Sequence, residues 1–104
     1  MSIWNGYLWC DCNLFDGQWH HVAAVLGNDG SPTMNEVKVY IDGILQVPTF
    51  VNPATSINTS ANNDVLMGAF MEGTVKKYYF KGLLDDVRVY NWALSDGEIA
   101  DLAQ

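Results

Sequence analysis

Apolar and polar residues alternate most regularly from Glu36 to Ile41, where Val37, Val39 and Ile41 share one parity and Glu36, Lys38 and Tyr40 the other. That period of two predicts a strand with one face toward a core and one toward solvent. Asp42-Gly43 follows, a dipeptide suited to a type I′ turn, so the chain is expected to return through Ile44, Leu45 and Val47 until Pro48 limits the pairing. Upstream, the aromatic-rich alternation of Ile3 to Cys10 predicts a strand, and Asp16-Gly17 a turn. The nearly continuous apolar run from Trp19 to Leu26, WHHVAAVL, suits a strand covered on both faces. Downstream, Val65 to Phe70, Val75 to Phe80 and Leu83 to Tyr90 read as strands, with Glu72-Gly73 turning between the first two.

The intervening segments are made of turn formers. GNDGSPTMN, residues 27–35, reads as a polar loop, and NPATSINTSANND, residues 52–64, as a longer one running over the surface. The last turns of the chain change period. Ser95 occupies an N-cap position, Glu98 three residues later completes a capping box, and Leu94 with Ile99 forms the matching hydrophobic staple. Ile99 and Leu102 then give a short helix one apolar stripe to lay against a larger body. About seven strands joined by turns, with a single helix at the end, define an all-β chain folded as an antiparallel β-sandwich.

Composition narrows the function more than the fold. The 104 residues show no composition break and read as one domain spanning 1–104. Twelve acidic against five basic side chains give a net charge of -7, a field that repels phosphate backbones and anionic lipid, so neither nucleic acid nor membrane is an expected partner. The basic cluster of Lys76, Lys77 and Lys81 is small enough to do no more than solvate a hairpin. No apolar run approaches the roughly 18 residues of a bilayer span. The start, MSIWNGYLW, lacks a basic end before a long apolar stretch, so no signal peptide is expected from it and the compartment is left open. Cys10 and Cys12, a C-x-C pair without neighbouring ligands, read as free, partly buried thiols.

Candidate chemistry is sparse. Asp85 shares its parity with Leu83, Val87 and Val89, so a core-facing strand would turn this carboxylate inward and require a hydrogen-bond donor or a cation for it. His20 and His21, adjacent on a strand, face opposite ways and do not converge on one metal, and one of them is expected to be buried and hydrogen-bonded. Trp19 and Trp92 are read as core aromatics. The glutamates Glu36, Glu72 and Glu98 are scattered, and Asp85-Asp86 point to opposite faces, so the paired carboxylates of a glycoside hydrolase are absent from the pattern. Without a G-x-S-x-G elbow, an H-E-x-x-H helix or a phosphate-cradling loop, an enzyme is not expected.

Four blocks in order, DGQWHHVAAV, VKVYIDG, LMGAF and FKGLLDDVRVYNWALSDGEIADL, resemble the laminin-G-like, concanavalin A-like jelly-roll domains over Phe15 to Leu102. The resemblance implies a jelly roll that carries fewer strands than usual, because family domains place several strands before the W-H-H block and about 18 residues precede it here. It implies a non-catalytic module that binds carbohydrate; Trp9, Tyr40 and Tyr78, which alternate with presumed core positions, are the candidate stacking aromatics, and Asn62, Asn63 and Asp64 of the polar loop are the candidate readers of hydroxyl groups. It also implies a structural Ca2+ held by Asp85, and an extracellular setting. A half-built sandwich would expose an apolar sheet face, so the alternative is a structural or adhesive module that self-associates as a homodimer or higher homo-oligomer.

Overall fold

The computed structural model describes residues 2–3, 6–27, 29–51, 57 and 66–104, the strand segments 2–3, 6–9, 50–51 and 70–71 by their backbone alone. They form antiparallel strands and one C-terminal helix, arranged as two compact units, Met1–Asn58 with Tyr90–Gln104 and Thr59–Val89.

In the first unit, β1 (Ser2–Ile3) and β2 (Gly6–Trp9) pair antiparallel with Ser2 opposite Tyr7 and Ile3 opposite Gly6. The expected single strand from Ile3 to Cys10 is therefore a hairpin. The other edge of β2 pairs with β6 (Phe50–Val51), Trp9 standing opposite Phe50.

A second sheet has the order β3 (Val22–Val25), β4 (Lys38–Ile41), β5 (Ile44–Leu45). Val22 lies opposite Ile41 and Val25 opposite Lys38, while Tyr40 pairs with Leu45 across the Asp42-Gly43 turn. Both turn residues have positive φ, 51° and 80°, as the type I′ reading requires. The WHHVAAVL strand is shorter than expected and not covered on both faces. Among the described residues β3 is an edge of its sheet, and Val22 and Ala24 are exposed.

The core of this unit comes partly from a segment read as polar loop. Thr33 precedes a single 3-10 turn, Met34–Glu36, whose capping box is closed by Glu36 accepting from the Thr33 amide at 2.7 Å. That turn drives Met34 inward, where with Val37 it is packed by Leu26, Val39 and Ile57. The helix α1 (Asp96–Leu102) forms where expected, with Ser95 Oγ accepting from the Glu98 amide at 3.2 Å and Glu98 accepting from the Ser95 amide at 3.3 Å. Its buried residue is Ile99, and Leu94 is half-buried.

In the second unit, β7 (Phe70–Glu72) and β8 (Val75–Lys77) make a hairpin with Glu72 opposite Val75 and Met71 opposite Lys76. Expected boundaries shift here. The Val65 to Phe70 strand starts only at Phe70 among the described residues, and the Val75 to Phe80 strand stops at Lys77 because Tyr78 turns to φ 56°. The Phe80 amide then donates to the Gly68 carbonyl at 2.7 Å, anchoring the chain beyond the hairpin.

The clearest correction concerns Leu83 to Tyr90, which enters no strand among the described residues. Alternation supplies two faces, but a strand also needs a neighbour's N–H and C=O groups. At Asp86 the backbone turns left-handed, φ 53°, a conformation that Asp tolerates better than most residues. Arg88 folds back onto its carboxylate in a fork, Nε to Oδ1 at 2.9 Å and Nη2 to Oδ2 at 3.0 Å. Leu83, Val87 and Val89 are exposed.

Candidate functional site

Among the described residues of the first unit, two open clefts bear on function. One, of about 420 Å³, is lined by Val25, Lys38 and Tyr40 from the β3–β4 sheet, by Gly27, Asp29 and Glu36, and by Ala93 and Leu94. Its carboxylates are already engaged in local turns, Asp29 accepting from the Ser31 amide and Glu36 from the Thr33 amide.

The other, of about 360 Å³, lies along α1 and is lined by Tyr90, Trp92, Leu94, Glu98, Asp101 and Leu102. Tyr90 and Trp92 meet edge to face, ring centroids 5.4 Å apart and planes 74° to each other. Each ring thus steadies the other by the attraction of a positive edge for a negative face. The Trp92 side is open, with the residue 61% exposed. Glu98 and Asp101, three apart on the helix, stand on neighbouring turns of one face. One Glu98 oxygen serves the cap, which leaves the second as an acceptor. An aromatic surface beside carboxylate acceptors matches the chemistry of a sugar, whose C–H face packs on a ring and whose hydroxyls donate to anionic oxygen.

Sequence reasoning missed this cleft by placing Trp92 in the core. Trp19 is likewise exposed, at 67%. The signal was available for Trp92, which sits three residues before an N-cap, where the chain has not yet entered an element that could enclose it.

Among the residues proposed from sequence, Tyr40 and Tyr78 are described with their side chains. Tyr40 is 2% exposed and its hydroxyl donates to Asp96 Oδ1, so it offers no face for stacking. It lies on the parity of Lys38, yet α1 covers the turn end of that face: a Cβ on Gly43 would stand 3.2 Å from Ala100 Cα. The neighbouring carboxylate and burial both raise the Tyr40 pKa. Tyr78 is 75% exposed at the end of β8. Trp9 ends β2. Asn62, Asn63 and Asp64 lie outside the described residues.

Asp85 is exposed, not turned inward, because the strand that would have oriented it does not form. Its Oδ1 accepts from the Asp86 amide at 2.8 Å, and the Asp86 carboxylate is held by Arg88. Calcium takes about six to eight oxygen ligands. Among the described residues no group of three or more His, Cys, Asp or Glu side chains converges to hold a metal.

His20 and His21 are both half-buried. His20 is clamped between two carboxylates, Nδ1 2.7 Å from Asp42 Oδ2 and Nε2 2.9 Å from Asp16 Oδ1. Asp42 also accepts from the His21 amide at 2.9 Å. Two anionic acceptors favour the doubly protonated ring. The Asp42 and then the Asp16 hydrogen bond raise the His20 pKa, and the bond to His20 lowers both carboxylates. With both nitrogens engaged, the imidazole is a tie between the Asp16-Gly17 and Asp42-Gly43 turns and no base for catalysis. Cys10 is half-buried and Cys12 exposed, both free thiols, and burial followed by the charge of Cys12 raises the Cys10 pKa.

The laminin G model described as Concanavalin A-like lectin/glucanases superfamily matches residues 3–100. The chain belongs to that family, whose laminin-G-like domains are often non-catalytic binding modules while the wider superfamily includes glycosidases. It is similar to a solved structure of an S-layer domain-containing protein, residues 221–444, from Clostridium thermocellum ATCC 27405, with 26% identity and a TM-score of 0.63. The likeness covers 91% of this chain and 43% of that one, so the chain spans less than half the length of the solved structure. No curated protein matches.

Proposed function

We propose that the chain is a non-catalytic carbohydrate-binding module, a single laminin-G-like jelly-roll sandwich. The observation behind this reading is the exposed Tyr90–Trp92 pair flanked by Glu98 and Asp101 in one cleft. Glu98 is tied to the helix cap, which favours holding a hydroxyl over transferring a proton. A glycan array probed with the purified chain tests it, followed by titration of the best neutral oligosaccharide. Trp92→Ala and Asp101→Asn should each weaken binding about tenfold or more while the protein stays folded, since both side chains face solvent. Silence across the array, or full binding by Trp92→Ala, would overturn it.

A second reading, an adhesive module that binds its own copy, draws on a different feature. Leu83, Leu84, Val87 and Val89 are all exposed within one short segment. Apolar side chains so clustered favour a covering partner. Sedimentation of the wild type across a concentration series tests that association.

A further inference from the structure

We infer that the cleft along α1 selects sugars that carry a free, protonated amino group. The inference rests on the carbohydrate-binding reading and names the ligand class of that same cleft. Among the described residues that line it, Glu98 and Asp101 carry carboxylates and none is basic. Both acids are exposed, and the last turn of α1 holds no basic residue to offset them. Residues three apart on a helix stand roughly 5–6 Å apart at Cβ, so these two carboxylates repel one another and are close enough to share one cation. The net charge of -7 draws cations toward the protein from farther out.

An ammonium group answers this arrangement better than a hydroxyl does. It brings three donors and a full positive charge, whereas a hydroxyl brings one donor and no charge. A hydroxyl bonded to a carboxylate is charge-assisted on one side, an ammonium on both. The Glu98 oxygen that does not serve the Ser95 amide, together with Asp101, accepts two of the three ammonium protons. The aromatic pair adds to the same preference. Trp92, steadied edge to face by Tyr90, is 61% exposed, and the face of an open indole attracts a cation as well as packing on C–H groups. A pyranose lying flat on that ring turns its equatorial substituents outward in its own plane, toward the carboxylates that share the cleft. N-acetylation of the amine removes the charge and two of its three donors, so the acetylated sugar loses the advantage while keeping the same ring.

Calorimetric titration with three tetrasaccharides of one linkage tests the inference, built from glucosamine, from N-acetylglucosamine and from glucose. The glucosamine tetramer should bind about tenfold more tightly than either of the others, an advantage that added salt erodes. Asp101→Asn and Glu98→Gln each keep an acceptor and remove one charge, so each should lower the ratio of affinities about threefold or more. Glu98→Gln also retains the capping box that starts the helix. Asp11→Asn removes one charge from an exposed position outside the cleft and should leave the ratio unchanged. An equal fall in Asp11→Asn would show general attraction of a polycation to an acidic protein and overturn the inference. Equal binding of the three tetramers, tighter binding of the acetylated one, or binding confined to other sugars overturns it too, and leaves the carbohydrate reading standing. Silence from all three and from the wider glycan array overturns both. Circular dichroism confirms that each variant is folded, and either of the two cleft variants carries the test should the other unfold.

Discussion

The phenol of Tyr40, on the middle strand of the β3–β4–β5 sheet, donates its proton to the carboxylate of Asp96, the first residue of α1, across 56 positions of sequence. The bond joins the hairpin to the helix that ends the chain. Beside it, the Gly43 turn approaches Ala100 and Ala103 closely enough that hairpin and helix share one boundary.

Tyr40→Phe keeps the ring and removes the donor. Asp96 is exposed and can be rehydrated, so the loss should be about 1 kcal/mol, which for a chain of this size lowers the melting temperature by roughly 4–8 °C. Differential scanning calorimetry measures it. An unchanged melting temperature would show that the bond does not hold the helix in place.

Gly43→Ala meets two obstacles together. The residue has φ 80°, and the added methyl would stand 3.2 Å from Ala100 Cα and 3.3 Å from Ala103 Cβ. Left-handed strain and crowding against the helix should cost about 2 kcal/mol, read from denaturant unfolding. Gly73→Ala makes a control, since its φ is also positive but nothing stands near its Cβ. Equal losses at the two sites would remove the helix contact as a cause.

The His20 clamp makes stability depend on pH from both sides. The raised His20 pKa contributes stability that is fully present below the ordinary histidine value of about 6.5 and is lost as pH rises through the elevated one. Asp16 and Asp42, held below their ordinary value of about 4, contribute above it and lose that contribution as pH falls through their depressed values. The melting temperature should therefore peak between roughly pH 4 and 6.5 and decline on either side. His20→Asn should flatten both flanks; a profile identical to wild type would rule the clamp out as their source.

Calcium should leave the melting temperature unshifted, with or without chelator, because Asp85 stands exposed and serves the Asp86 amide. A rise with calcium that Asp85→Ala abolishes would show that the ligand set is completed in a way this arrangement does not suggest.

Sequence by itself determined the features that act over a few residues. Asp42-Gly43 fixes a turn because its two backbones accept positive φ, and Ser95 with Glu98 starts α1 because the two groups meet within a single turn. The order of its four blocks was enough to indicate the family. Tertiary structure decided the rest, because burial and pairing depend on what lies across from a residue and not on its own parity. Tyr40 was read as a solvent-facing aromatic and is enclosed by a helix 56 residues away, whereas Trp92 was read as core and stands open beside that same helix. Leu83 to Tyr90 has the alternation of a strand, but alternation cannot provide the neighbouring backbone that makes one.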